Sequence, residues 1–201
     1  MKNIFPVFRQ FIALIVALTA LSCDRVAETW RVSELAAPYD LLPAGIYTRE
    51  QTREQPGTPV SEHYVMRTFP LWEDHVIHGA TNLQLSQAWA LALAANLLED
   101  REALDLVQSQ LEWTLGRNPF SSSLMYGVGH NYAPHFVYTT RHLKGAIPVG
   151  IDCLHDDRPF WDGSAHATSH EIWIETESRF LGTLSTYLKA QEGGTTRNSQ
   201  L

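Results

Sequence analysis

The sequence predicts an all-α fold with long loops. Two stretches, about residues 81–98 and 101–115, carry apolar side chains at helical spacing and follow one another after a short turn. A third stretch, about residues 176–190, also repeats apolar side chains on one face. Helices joined by so short a turn pack antiparallel, so the first two stretches are predicted to form a helical hairpin.

Each predicted helix has its own apolar face. In the first helix the face is broad and mixed with alanines: Leu83, Leu85, Trp89, Leu93 and Leu97. In the second, the residues at helical spacing are Leu104, Val107, Leu111 and Leu115, and Gly116 caps the end. In the third, the residues predicted to point inward are Phe180, Leu181, Leu184, Tyr187 and Leu188.

The segments around these helices are predicted to be irregular. Residues 23–60 form a linker that prolines and glycines interrupt. Residues 117–170 are rich in loops, with a short extended piece at 145–151. Residues 191–201 are predicted to be a flexible tail.

The first 22 residues are predicted to be an export signal. Basic residues precede an apolar run at 11–21, and about eleven apolar residues suit a signal peptide, whereas a membrane span takes roughly twenty. The run leads through small residues to Cys23 and resembles a bacterial lipobox, in which the thiol carries lipid. This predicts an exported, membrane-anchored lipoprotein on the periplasmic or cell-surface side of a bacterium. The alternative is a buried apolar helix with an incidental cysteine.

The two cysteines can be interpreted in two ways. Lipid on Cys23 would leave Cys153 without a disulfide partner. An unmodified Cys23 in an oxidising compartment leaves a Cys23–Cys153 bridge open.

Net charge limits the classes of partner. The chain has 201 residues and a net charge of −7, which predicts that it binds neither nucleic acid nor anionic membrane surfaces. A lipid anchor is therefore the only membrane contact that the sequence predicts. With 44% hydrophobic residues, the chain is long enough to bury a core.

Residues 160–178 combine acids and aromatic rings in a way that suits cleavage of a glycosidic bond. Asp162 follows the aromatic pair Phe160 and Trp161, and Glu171 lies further along, just before an apolar helix. One carboxyl group can protonate the leaving oxygen while another activates water or attacks, and an aromatic face can stack on a sugar ring. Acids are also common at helix starts, where they interact favourably with the helix dipole, so a structural role is the alternative.

Two segments together resemble glycoside hydrolase family 9, the endoglucanase-like inverting enzymes. In residues 113–132, a Gly-x-Asn-Pro motif precedes a serine-rich turn and a Gly-x-Gly bend: Gly116, Asn118, Pro119, Gly127 and Gly129. In residues 160–178, the positions that match the second signature without a gap are Phe160, Asp162, Glu171 and Ser178. The positions that depart from it are Ala167 for an aromatic residue, Trp173 for a small residue and Glu177 for asparagine.

The resemblance implies a fold and an activity. The fold is part of an (α/α)6 toroid of six helical hairpins, with residues 61–190 as a C-terminal portion of the catalytic domain. The activity is hydrolysis of O-glycosidic bonds in a β-linked polysaccharide by inversion. Glu171 matches the proton donor, and Asp162 would orient or support it. No cofactor is implied.

The resemblance also points to substrate-binding residues. Family members carry a His-His-Arg run after the Gly-x-Gly bend, but the ungapped positions here, residues 137–139, differ from it. His135 and Arg141 lie close enough in the sequence to substitute. Tyr126 and Trp161 are predicted to lie on loops at the mouth of a cleft, where their rings either contact sugar or pack within the loops.

The family's catalytic base is an Asp pair that has no match in this chain. The resemblance therefore implies a separate N-terminal half or self-association, in addition to a polysaccharide or oligosaccharide substrate. The alternative function is a non-catalytic carbohydrate-binding or scaffold remnant of such an enzyme.

The histidines suggest a metal site as a third alternative. His166 and His170 have the i, i+4 spacing of a zinc-binding pair, with Asp162 and Glu171 nearby in the sequence. The zincin order His-Glu-x-x-His is absent, and the residues between the two histidines are poor helix formers. The sequence therefore predicts no metal here.

Overall fold

The structure is a computed structural model, and it describes residues 39–72, 79–129, 131–132, 134–136, 143–162 and 167–198. All of these belong to one compact unit, residues 32–201. The predicted signal at residues 1–22, the lipidation site Cys23, and the residues Arg141 and His166 lie outside the described residues.

Short strands and helices occur in groups along the described chain. In order they are β1 (Gly45–Thr48), β2 (Thr58–Pro59), β3 (Tyr64–Arg67), α1 (Thr81–Leu98), α2 (Arg101–Thr114), β4 (Asp152–Cys153), β5 (Pro159–Phe160), α3 (Ala167–His170) and α4 (Ile174–Asn198). Strand β3 lies between β1 and β2 in an antiparallel sheet, and β4 pairs antiparallel with β5. No helix in the described ranges is both long and apolar enough to cross a bilayer.

The predicted helical hairpin is confirmed. Helix α1 has the predicted bounds, and α2 ends at Thr114, one residue before the predicted end. Glu99 takes a left-handed conformation with φ of 58°, which turns the chain. The Asp100 carboxylate then accepts a hydrogen bond from the backbone N–H of Ala103 at 3.1 Å and caps α2.

Helices α1 and α4 pack closely because small residues line their contact. The buried face of α1 consists largely of alanines, Ala88, Ala92 and Ala95, together with Leu85. A Cβ on Gly182 of α4 would lie 2.6 Å from the Trp89 indole, so only glycine fits there. The predicted leucine faces are therefore partly wrong: Leu93, Leu97, Leu115, Leu181 and Leu188 are all exposed.

The core lies between these helices and the loops that cover them. Tyr39, Phe69 and Trp113 form an aromatic group with ring centroids 6.0–6.5 Å apart. Ile147 and Ile151, from the predicted loop region, are fully buried in the same cluster. Helix and loop residues therefore share one core.

A buried ion pair links the sheet to the β4–β5 hairpin. The Arg67 side chain is fully buried, and its Nη2 lies 3.5 Å from Oδ1 of Asp157. The Asp157 carboxylate also accepts hydrogen bonds from the backbone N–H groups of Thr68 and Phe69, at 2.8 and 3.0 Å. Burial nevertheless raises the pKa of Asp157.

Several sequence predictions are corrected by this architecture. The all-α prediction holds only in part, because residues 45–67 form a small sheet inside and just beyond the predicted linker, and residues 152–160 form a short hairpin. The third long helix begins at Ile174 and ends at Asn198, so it extends into the predicted tail. The three long helices of the described chain are fewer than a ring of six hairpins requires.

Candidate functional site

A buried loop, the 145–151 segment, lies at the centre of the candidate site. Its residues Ile147, Val149 and Ile151 are fully buried. The backbone carbonyls of Val149 and Ile151 accept hydrogen bonds from the N–H groups of Thr81 and Ala80, at 2.9 and 3.0 Å. These contacts attach the segment to the start of α1. The segment is not a strand, and Pro148 alone within it takes part in an isolated β-bridge, so the predicted short extended piece is not observed as a regular element.

The segment approaches α1 so closely that a glycine is required. Gly150 has φ of +93°, and a Cβ there would overlap the Thr81 hydroxyl. Its N–H donates to the carbonyl of Ser169 at 2.9 Å. The segment therefore contacts the start of α1 on one side and α3 on another.

The backbone of Glu171 lies between two loop segments. Its carbonyl accepts a hydrogen bond from Val149 N–H at 2.9 Å, and the residue forms a parallel bridge with Phe136. Next to it, Phe136 N–H donates to the His170 carbonyl at 3.0 Å, and Ile172 bridges to Pro148. Glu171 is half-buried and precedes α4 without being part of it.

The carboxyl group of Glu171 is oriented by its neighbour Trp173. The indole Nε1–H of Trp173 donates to Oε2 of Glu171 at 2.9 Å. Trp173 stands where the family signature has a small residue, and the sequence indicated only an apolar neighbour. The indole N–H instead fixes one carboxyl oxygen and leaves the other for a further partner.

A stacked pair of rings connects the two candidate acids. The rings of Trp161 and His170 are stacked, with centroids 4.1 Å apart. Asp162 directly follows Trp161, and Glu171 directly follows His170. The stack therefore brings together the two chain positions that the signature spacing singled out, and Asp162 is half-buried there.

His170 is part of the packing at this site. It is fully buried, and its Nδ1 lies 2.9 Å from the Ser169 hydroxyl in a hydrogen bond. Among the described residues, no group of three or more histidine, cysteine or acidic side chains is arranged to hold a metal ion.

A second aromatic group includes the predicted substrate residues Tyr126 and His135. The Tyr126 ring lies 4.6 Å from the His135 ring and 5.1 Å from the Tyr132 ring. Tyr132 is 41% exposed, so this group reaches the surface. Tyr126 is also paired with the 145–151 segment, because its N–H donates to the Ala146 carbonyl and its carbonyl accepts from Gly145.

His135 is buried and uncharged at neutral pH. Burial lowers its pKa to about 4, and the nearby backbone of Ala146 offsets only part of that effect. Within the described chain, neither ring nitrogen has a hydrogen-bond partner of normal geometry. His135 is adjacent to Phe136, so the same loop contacts the Glu171 backbone and carries the histidine.

The sequence did not identify the role of Glu177. Its Oε1 accepts a hydrogen bond from the backbone N–H of Ile147 at 2.5 Å, and burial raises its pKa. In the sequence, Glu177 is distinguished only as a departure from asparagine in the family signature. The available signal in the sequence was an acidic residue near the start of α4, before several positions that the helix buries.

Two other features do not contribute to this site. The thiol of Cys153 is buried, donates to the Pro70 carbonyl at 3.4 Å, and has a pKa raised by burial to about 12. An open cavity of about 380 Å³ has Tyr39, Trp113 and Arg117 in its lining and none of the site residues described above.

Comparison with known proteins identifies the family. The chain matches the model of glycosyl hydrolase family 9 over residues 42–184. No curated protein sequence matches it. Similar solved structures include the cellulase Cel9M of C. cellulolyticum, at 20% identity and a TM-score of 0.48, covering 69% of this chain and 33% of that one.

Two further structures are from Clostridium thermocellum. Endoglucanase CelQ, complexed with cellobiose and cellotriose, is 21% identical with a TM-score of 0.46, covering 58% of this chain and 22% of that one. The catalytic domain of CelT is 16% identical with a TM-score of 0.47, covering 61% and 26%. The chain thus covers one third or less of these proteins. Because the family model matches more than half of its 201 residues, the chain belongs to glycosyl hydrolase family 9.

Proposed function

We propose that this chain carries the proton-donor side of a glycosidase active site and takes part in hydrolysing O-glycosidic bonds of a β-linked polysaccharide by inversion. The observation that supports this most directly is the position of Glu171. Its backbone is hydrogen-bonded to Val149, and its carboxyl group accepts the Trp173 indole N–H. A donor acid needs such fixed geometry relative to the leaving oxygen.

In this mechanism Glu171 protonates the glycosidic oxygen as the bond to the sugar breaks. Asp162, at the other end of the Trp161–His170 stack, supports or orients the donor. Inversion also requires a second carboxylate about 6.5–9.5 Å from the donor, which activates water on the opposite face of the sugar. We assign this base to a separate N-terminal half of an (α/α)6 toroid, because copies of this chain lack the Asp pair as well. Self-association is proposed only as a means of covering exposed apolar helix faces.

The proposed substrate is an oligosaccharide or polysaccharide of β-linked sugars. Rings that reach the surface, Tyr132 above all, offer faces on which a sugar can stack. The ring of the buried His135 contacts the ring of Tyr126. Its two ring nitrogens would bind a sugar hydroxyl once a small movement of the loop that carries His135 exposes them. Arg141 is proposed as a further contact. The CelQ structure holds cellobiose and cellotriose, which suggests the ligands to test first.

A second candidate function is binding of oligosaccharide without cleavage. It is favoured by the absence of a family-type Asp pair in this sequence, together with the exposed ring of Tyr132. In this case the aromatic group and Glu171 would form an inherited site that holds sugar but does not activate water.

Hydrolysis of a panel of β-glucans separates the two functions. The chain would be compared with Glu171→Gln, which keeps the shape and removes the acid, and with Glu175→Gln as a control at an exposed position of α4. Activity lost only in Glu171→Gln supports the catalytic role. Equal activity in all three excludes Glu171 as the donor. Because the base is assigned to a separate half, the panel is repeated after adding an N-terminal family 9 portion that carries the Asp pair. Binding without activity in all three chains even then supports the second function.

We also propose that the mature protein is exported and anchored through lipid on Cys23. The basic start, the apolar run at 11–21 and the small residues before Cys23 support this. Blocking lipoprotein processing should leave a heavier precursor. If Cys23→Ala changes neither the mass nor the membrane fractionation, the anchor proposal is wrong.

A further inference from the structure

The 145–151 segment connects the two halves of the candidate site. At its start, Gly145 and Ala146 are hydrogen-bonded to the backbone of Tyr126, at 2.8 and 3.0 Å. Further along, Val149 is hydrogen-bonded to the carbonyl of Glu171. A displacement of this segment would therefore move the aromatic group and the proposed donor together.

Between these two attachments, the side chain of Glu177 holds the segment. Ile147 lies between Ala146 and Val149, and its N–H donates to the carboxylate of Glu177 at 2.5 Å. Ile147 is fully buried, so this donor has no access to water. A buried backbone N–H needs a partner, and here the partner comes from the long helix α4.

Glu177 is itself well placed to act as a rigid support. It is half-buried in the first part of α4, four residues after Trp173. The backbone N–H of Glu177 points to the Trp173 carbonyl at 3.5 Å, and that of Thr176 donates to the same carbonyl at 3.1 Å. Trp173, which orients the Glu171 carboxyl group, and Glu177, which holds Ile147, therefore both lie at the N-terminal end of α4.

We infer that Glu177 is a positioning residue, which sets the position of Glu171 and of the Tyr126 loop by holding the 145–151 segment to α4. It acts through Ile147 and Val149 and does not itself touch substrate. The catalytic consequence of this inference rests on the proposed function. The effect of Glu177 on the position of Glu171 can be measured without any activity.

The test uses the indole N–H signal of Trp173 in ¹H–¹⁵N NMR spectra of the full chain. This proton bonds to the Glu171 carboxyl, so its shift reports the position of the donor. Trp173→Phe assigns the signal. The indole of Trp89, bonded to Thr186 at 3.2 Å, serves as an internal reference within the helix pair.

Three variants distinguish positioning from general destabilisation. Glu177→Ala removes the acceptor, and we expect the Trp173 indole and Val149 amide signals to shift while the Trp89 indole does not. Glu177→Gln keeps an acceptor oxygen and should restore both signals. Glu175→Ala changes an exposed acid in the same helix turn and should resemble the unaltered chain. Hydrogen exchange at Ile147 should rise about tenfold or more in Glu177→Ala.

A fourth variant covers the case in which Glu177→Ala does not fold. Glu177→Asp keeps the charge but withdraws it by one methylene, and it should shift the Trp173 indole in the same direction by a smaller amount. The inference is overturned if Trp173 and Val149 are unmoved in whichever of these variants folds, or if Glu177→Gln behaves like Glu177→Ala. If the signals respond as expected but the β-glucan panel shows no role for Glu171, the link stands and the proposed function fails.

Discussion

The indole ring of Trp161 stacks on the imidazole of His170, with centroids 4.1 Å apart and planes inclined by 29°. His170 is fully buried, whereas Trp161 is half-buried, so the indole covers the histidine. One face of the indole is therefore used in packing. The packing alternative for this ring is therefore observed, and the proposed sugar contact is left only the opposite face.

Removal of the Trp161 ring should destabilise the fold as well as weaken sugar binding. We expect Trp161→Ala to lower the free energy of unfolding by about 2 kcal/mol, because it uncovers a buried ring and removes a stacked pair. Trp161→Phe keeps a smaller ring and should lose about half as much. Urea unfolding measures both. A loss below about 0.5 kcal/mol in Trp161→Ala would show that the stack contributes little.

Loss of the indole N–H of Trp173 should affect the chemical step more than binding. Trp173→Phe keeps an aromatic ring and removes the hydrogen bond to Glu171. In an active preparation we expect kcat to fall about tenfold with KM nearly unchanged, because only the orientation of the donor is lost. Trp89→Phe removes a bond to Thr186 between α1 and α4 and serves as the control. A rise in KM with constant kcat would assign Trp173 to substrate binding.

Burial of His135 should make the fold less stable in mild acid. Its pKa is about 4 in the folded chain against an ordinary 6.5, so the unfolded chain binds more protons between these values. The stability due to the neutral ring is full above about pH 6.5 and is lost as the pH falls towards about 4.

We therefore expect His135→Phe to remove about 2 kcal/mol of the acid-induced loss of stability between about pH 7 and about pH 4.5. Urea unfolding at the two pH values gives the difference, and His63→Phe, at an exposed position, is the control. Equal pH dependence in the unaltered chain and in His135→Phe would mean that the ring can take up a proton without unfolding.

The exposed leucines of α1 and α4 should cause association. Leu93 is 55% exposed and Leu181 is 62% exposed, on two helices that pack against each other, and exposed apolar patches mark interaction surfaces. We expect the chain to sediment as a species larger than a monomer, and Leu93→Glu with Leu181→Glu to shift it towards the monomer. Lys189→Glu alters the charge at an exposed position of α4 and should leave the sedimentation unchanged. A monomeric unaltered chain at all concentrations would contradict the self-association proposal.

The helices were predictable because their signals are local. Helix α1 has the bounds that its periodicity predicted, and the Asp100 cap marks the start of α2. The choice of buried face was less predictable, because glycine and alanine allow α1 and α4 to approach and leave the larger leucines outside. The contact of Gly182 with Trp89 determines how closely the two helices approach, and this contact cannot be predicted from either residue alone.

The sheet and the supports of the site depend on contacts between distant parts of the chain. Strands β2 and β4 are two residues long, too short for a recognisable alternation, and Arg67 is buried because Asp157 pairs with it. The spacing of Asp162 and Glu171 marked two positions that adjoin the stacked rings of Trp161 and His170, and the catalytic roles of the two acids stay predictions. The hydrogen bond from Ile147 to Glu177 joins residues thirty positions apart, and no short pattern encodes it.

The 145–151 segment gives the protein little freedom to change its interior without changing its chemistry. Side chains of Ile147, Val149 and Ile151 fill the core, while backbone groups at the start of the segment and at Val149 carry hydrogen bonds to Tyr126 and Glu171. A substitution that repacks the interior would thus displace Glu171, the proposed donor, and one that alters the Tyr126 loop would disturb the interior. Directed evolution of this site should succeed mainly with paired substitutions, one inside and one at the cleft, and seldom with single ones.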